Sequence, residues 1–212
     1  MISFYAVQDR IGSMRPDKLE REWNLAFQIA SRRLAVDTLA LQETVDFTIS
    51  ADASSADVYD AETDEKECLH IFKASYQNSN GVWIPLVLIN QENLFFASEK
   101  IVEDSGTMEA YSCRMGKFTP NCPPEVETTV RAIVAYKPLG DFIEVGFPHN
   151  FEDAIVEGAI AHLLRLPGVE KNLQESEMAE RKYQSMASGL RGITLIGNDG
   201  YRRGSARPER YW

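Results

Sequence analysis

Three histidines, three cysteines and 32 acidic residues are what this chain offers for chemistry. A nucleophilic mechanism needs a thiol and a base that can meet it. Cys113 or Cys122 with His149 is the pairing available, and no local signature surrounds either thiol. Glycoside cleavage needs two facing carboxylates, but with this many acids any pair picked from the sequence carries no information. Gly197-Asn198-Asp199-Gly200 lacks the lysine and the following helix of a phosphate-cradling loop. Cys68, Cys113 and Cys122 are an odd set without repeated spacing, so neither a disulfide framework nor a zinc knuckle is signalled, and reduced thiols are expected. His70 falls on a strand pattern, His149 beside a helix start and His162 on a helix as a packing residue. The acids between Ser50 and Glu67 lack the ordered oxygen spacing and central glycine of a calcium loop. The expectation is a protein without catalytic residues, metal or cofactor.

Binding chemistry is better marked. The chain ends in Tyr201, Arg202, Arg203, Arg207, Arg210, Tyr211 and Trp212, interrupted by Gly200, Gly204 and Pro208, so the segment cannot bury itself as a helix or strand. From Gly189 onward five arginines face Asp199 and Glu209, a net +3, which leaves about −13 on the rest of a chain whose formal charge is −10. A body this acidic repels a phosphate backbone, which argues against sequence-specific DNA binding. Arginines set among tyrosine and tryptophan are the residue types enriched at protein interface hot spots, so an acidic protein groove is favoured over nucleic acid as the tail's partner.

The elements that carry this tail read as follows. Asn150 with Asp153 marks a helix start with acid at the positive end of the dipole. Ile155, Ala159, His162, Leu163 and Leu166 share one side of that helix, and Ala154, Gly158 and Ala161 form a small-residue strip open to a close neighbour. Leu166-Pro167-Gly168 stops it, Asn172 with Glu175 starts a second helix, and Ala179, Tyr183, Met186, Ala187 and Leu190 trace its apolar stripe before Gly189 and Gly192 loosen the end.

At the other end of the chain, residues 1–14 read as an irregular arm with Ile2, Phe4, Tyr5 and Val7 available for docking, followed by a helix over about 16–35 on the face Leu19, Trp23, Phe27, Ala30 and Leu34. Between the helices the period falls to two. Strands are expected at Leu39–Ile49, Cys68–Tyr76, Val82–Ile89, Glu109–Met115 and Glu127–Lys137, with an acidic solvated loop at 50–67, a short helix at 91–102 and turns at 116–124. Pro85 marks an edge strand or a bulge, and Pro138–Pro148 reads as irregular. The class is therefore α+β: a long N-terminal helix and a C-terminal helical hairpin forming a small helical bundle, a central antiparallel β region and an extended C-terminal tail. We expect one domain over 1–196 with a β-rich insertion at about 38–137, and an arm over 197–212. No apolar run reaches membrane-spanning length and no signal peptide is evident, so a soluble, non-secreted protein is expected.

Taken together, the helix ending Phe27-Gln28-Ile29-Ala30-Ser31-Arg32-Arg33, the strand Val45–Ile49, the Tyr111–Pro124 segment, and Phe147-Pro148 leading into Asp153–Gly168 with its Leu-Pro-Gly stop resemble the head-to-tail adaptor, or neck, proteins of tailed bacteriophages. In that family a second helix carrying a Tyr or Phe follows, here Tyr183. The resemblance implies a structural virion protein made in the host cytoplasm. It implies a homo-oligomeric ring, typically of twelve copies, that sits below the portal protein and meets a tail tube or nozzle protein. DNA would pass through its lumen unread. The resemblance also implies that the arm Gly197–Trp212 reaches the portal, with Tyr201, Arg202, Arg203, Arg207, Arg210, Tyr211 and Trp212 as its binding residues, and Ala154, Gly158 and Ala161 are expected to serve subunit packing. The acidic insert around 51–67 departs from the family pattern. Two alternatives stand beside this reading: another virion component, such as a tail-completion or baseplate protein, and a small hydrolase of cell-wall or capsular polymer.

Overall fold

A computed structural model of the chain describes residues 1–60, 64–89, 108–114, 116–167 and 173–199. The chain divides into two compact units, one built from Met1–Ala40 with the chain from Asp141 onward, the other from Leu41–Gly140. The architecture is α+β.

In the first unit, apolar residues at helical spacing again set the faces. Helix α1 (Phe4–Gly12) buries Phe4, Val7 and Ile11, and α2 (Glu20–Thr38) buries Phe27, Ala30 and Leu34, with the Phe4 and Phe27 rings 5.9 Å apart. The expected irregular arm is thus a strand and a helix. Strand β1 (Ile2–Ser3) pairs antiparallel with β9 (Glu144–Val145), and the Phe4 N–H donates to the Ile143 carbonyl at 2.7 Å. Helix α2 starts four residues later than Pro16, where the Leu19 N–H donates to the Glu22 carboxylate at 3.0 Å, and it ends on Leu39 in the left-handed region with φ 56°.

Helix α3 (Glu152–Arg165) follows a 3₁₀ turn at His149–Phe151, and α4 (Leu173–Asp199) runs back beside it. Asn150 does not cap α3: it lies inside the 3₁₀ turn, and no side chain caps the helix. The acids of the first turn, Glu152 and Asp153, instead receive the Arg10 guanidinium at 2.9 and 2.7 Å. Nor do Gly189 and Gly192 end α4, which continues helical through Gly197–Asp199, three residues assigned above to the arm. Gly168 and Asn172 lie outside the described residues.

The second unit is a seven-stranded sheet in the order β2-β8-β4-β5-β6-β7-β3, made of β2 (Gln42–Ile49), β3 (Ala56–Asp57), β4 (Lys66–Gln77), β5 (Trp83–Leu88), β6 (Ala110–Arg114), β7 (Lys117–Pro120) and β8 (Thr128–Pro138). Along β8, Val130, Ala132 and Val134 point inward while Arg131 is exposed, the period-two signature of one dry face. The sheet is mixed rather than antiparallel, because β5 and β6 pair in parallel at Val87↔Ala110 and Leu88↔Tyr111. A parallel pair needs a long crossover, and the stretch between these two strands supplies the length.

Pro85 is tolerated for a related reason. It shares the parity of Val87, whose N–H donates to the Glu109 backbone carbonyl at 3.0 Å, so the missing donor of Pro85 lies on the β6 side before that pairing begins. The sheet nearly closes. Phe47 on β2 meets Phe118 on β7 edge-on at 5.4 Å, Phe118 stacks on Tyr111 at 5.3 Å, and Tyr59 beyond β3 donates to Glu43 on β2 at 2.6 Å.

Two segments read as loops therefore contribute strands. Ala56–Asp57 in the acidic stretch pairs with Phe118 and Lys117, and Lys117–Pro120, read as a turn, pairs with β6. The short helix expected at 91–102 lies outside the described residues.

Candidate interaction surface

The residues weighed for catalysis are dispersed. Cys113 and Cys122 belong to the β unit, where His70 lies on β4 with its ring 4.9 Å from Phe72, while His149 and His162 belong to the helical unit. Among the described residues no group of three or more His, Cys, Asp and Glu could hold a metal ion. In the acidic stretch, Asp57 pairs with Lys117 and the Asp64 carboxylate accepts the Asp60 N–H at 2.8 Å. Among the described residues no helix is long and apolar enough to cross a membrane.

The small strip of α3 is occupied from within the chain. Ala154, Gly158 and Ala161 are buried, and a Cβ built on Gly158 would lie 3.0 Å from the Tyr183 ring and 3.2 Å from the Ala30 methyl. Ser176 on α4 donates to the Ala161 carbonyl at 2.9 Å and accepts from Arg165 at 3.0 Å. Gly158 thus lets α2, α3 and α4 approach one another within the chain. Tyr183 is locked into that junction. Its hydroxyl donates to Asp37 at 2.6 Å, the Arg33 guanidinium lies 4.3 Å from its ring centre and also grips Glu180 with two bonds of 2.8 and 2.5 Å. Burial and the Asp37 hydrogen bond both raise the Tyr183 pKa, so the phenol stays a donor.

The end of α3 is held by a residue that sequence reading passed over. Arg15 is completely buried between the first two helices; it donates to the Leu163 and Leu166 carbonyls at 2.9 and 3.3 Å and to Asp17 at 2.6 and 2.7 Å. Lys18 adds a bond to the Pro167 carbonyl at 2.8 Å. Cations thus satisfy the orphan carbonyls at the negative end of α3.

Helix α3 does not run the whole length of α4. The two helices have 14 and 27 residues, about 21 and 40 Å at 1.5 Å per residue, so α4 outruns its partner. Where they part, Asn150, Asp153, Ala154, Ser185, Met186, Gly189, Leu190 and Ile193 line a groove of about 330 Å³. Ile193 is 63% exposed, and nothing lies within 4 Å of a Cβ built on Gly189 or Gly192. A helix-interior glycine is destabilising by roughly 0.5–1 kcal/mol relative to alanine, and among the described residues no packing calls for it. The tail candidates Tyr201, Arg202, Arg203, Arg207, Arg210, Tyr211 and Trp212 lie outside the described residues. Compared with known families and curated proteins, the chain matches no family model and no curated sequence.

Proposed function

We propose that this chain is a structural head-to-tail adaptor of a tailed bacteriophage, without catalytic activity or cofactor. In this reading the helices form a small bundle, copies assemble into a ring of about twelve below the portal, DNA passes through the lumen, and a tail tube or nozzle protein docks on the opposite side. The observation that carries the proposal is the construction of α4. It is longer than α3, carries the exposed Ile193 beside Gly189 and Gly192, and is followed in sequence by an arginine and aromatic segment of opposite charge to the acidic body. A segment of that composition gains most when a partner's groove orders it, and a ring of tails binding together lets each one bind only modestly.

The test is removal of residues 201–212. The truncated protein keeps its melting temperature, because the described helices end before the cut, and fails to co-purify with portal rings that the full chain captures. A truncated chain that still binds portal rings refutes the role assigned to Tyr201–Trp212.

A further inference from the structure

The turn between β4 and β5 is tied by one asparagine and leaves another uncommitted. Asn78 Oδ1 accepts the Asn80 N–H at 3.0 Å and the Val82 N–H at 2.9 Å, the Asn78 carbonyl accepts the Gly81 N–H at 2.9 Å, and the Asn78 N–H donates to the Val82 carbonyl at 2.9 Å. The Gln77 side-chain amide donates to the Gly81 carbonyl at 3.2 Å. Asn80 enters this set through its backbone alone: among the described residues none bonds its side-chain amide, and both Asn80 and Gly81 are exposed. Gly81 has φ +77°, and a Cβ built there meets the Gln77 amide nitrogen no closer than 3.8 Å. Its backbone nitrogen therefore has no side chain of its own to hinder attack on a neighbouring carbonyl. In the sequence Asn80 is the asparagine that a glycine follows.

We infer that Asn80 is a site of spontaneous covalent modification, with two products of unequal consequence for the turn. The Gly81 nitrogen gives its proton to a base in solvent and attacks the Asn80 side-chain carbonyl carbon. The bond from that carbon to the amide nitrogen breaks, ammonia leaves with a proton from water, and a five-membered imide closes. Water then cleaves the imide. Cleavage at the side-chain carbonyl leaves an aspartate with the main chain unaltered; cleavage at the main-chain carbonyl leaves the chain running through the former side chain, one carbon longer. Each product carries one more negative charge. The aspartate keeps every bond of the turn, since none uses the Asn80 side chain. The lengthened chain moves Gly81 and Val82 off Asn78, next to the point where Trp83 pairs with Gln77 and holds the Arg131 guanidinium 4.4 Å from its ring centre. Asn78 and Asn121 escape: backbone N–H groups hold the Oδ1 of each, and Ser79 and Cys122 follow them. The Gly81 N–H must leave the Asn78 carbonyl before its nitrogen can attack, so the fold slows the reaction relative to the unfolded chain without preventing it.

The test incubates the full chain in mildly alkaline buffer and follows it by isoelectric focusing and peptide mapping. A more acidic species accumulates, its change maps to Asn80 as a mixture of aspartyl and isoaspartyl peptides, and Asn80→Ser abolishes it. The isoaspartyl form, separated by ion exchange, shows faster hydrogen exchange at the Val82 amide than the aspartyl form. Native chain that keeps Asn80 intact while urea-unfolded chain converts it overturns the site, as does earlier conversion at Asn78. Equal exchange at Val82 in the two forms overturns the unequal consequence.

Discussion

The two units are held together in different ways. In the helical unit a few polar clamps close over long sequence separations: Arg15 reaches across to Leu163, Arg33 to Glu180 and Tyr183 to Asp37, each across about two thirds of the chain, and each ends on a buried or half-buried group. In the β unit the interior is apolar, built from Ile49, Ile71, Tyr111, Phe118, Val130 and Val134, and charges sit at the rim in pairs such as Arg131 with Asp46 and Lys117 with Asp57. The three clamps named in the first unit are structural members, while the Arg131–Asp46 and Lys117–Asp57 pairs of the second are largely solvated. The difference teaches that equal-looking ion pairs differ in worth by what surrounds them.

The sharpest way to break that comparison is Arg15→Met, which keeps the apolar stem and removes the donors. The expected loss is about 1–3 kcal/mol for each carbonyl left buried and unpaired, read as a lowered denaturation midpoint. A variant as stable as the parent would show that Arg15 is not the clasp described. Gly158→Leu follows, since even its Cβ would crowd the Tyr183 ring and Ala30; overpacking of this kind costs about 1–3 kcal/mol and shows as a drop in melting temperature.

Acid separates the units next. Burial, with Arg165 adding to it, lowers the His162 pKa in the helical unit, so the unfolded state takes up the proton first. The stabilisation is complete above the ordinary histidine value of about 6.5 and is lost as the pH falls through the lower folded value. The melting temperature is expected to decline through this range, and His162→Gln to flatten the decline. Further down, Asp17 and Glu180 are each held below their ordinary values first by a hydrogen bond from Arg15 and Arg33 respectively. Their contributions are present above the unfolded carboxylate range and disappear as the pH drops through the folded values.

Smaller still, Gly189→Ala should stabilise the free protein by roughly 0.5–1 kcal/mol, since the added methyl meets nothing, and weaken assembly if that backbone faces a partner. At the bottom of the series, Asp46→Ala on the β rim should leave the denaturation midpoint unchanged. A clear loss there would erase the contrast between the units.

Elements with a repeating pattern were readable and single contacts were not. Phe27, Ala30 and Leu34 announce α2, and Val130, Ala132 and Val134 announce β8, because burial of one face repeats at a fixed period. Strand β7 was concealed by its brevity and by Gly116 and Pro120 at its ends, which read as turn residues; only pairing with β6 and β3 makes it a strand. Helix α4 passes through Gly189 and Gly192 because Tyr183, Ala187 and Leu190 anchor it, which outweighs a local propensity loss. Arg15 left no signal: one cation in a loop has no period, and its value lies in carbonyls about 150 residues away. The small strip at Ala154, Gly158 and Ala161 was legible as a place of close approach, but sequence spacing does not say whether the approaching helix belongs to the same chain.

The helical unit takes its pieces from both sides of a segment that is continuous in the chain. During synthesis the β segment can pair its strands as soon as Gly140 has emerged, whereas α1 and α2, made first, must wait for α3 and α4, made last. Phe4, Phe27 and Leu34 therefore wait for their full cover until α3 and α4 have been made. A chaperone that shields apolar helices has its opportunity at α1 and α2, and a nascent chain arrested before Glu152 should be its strongest client.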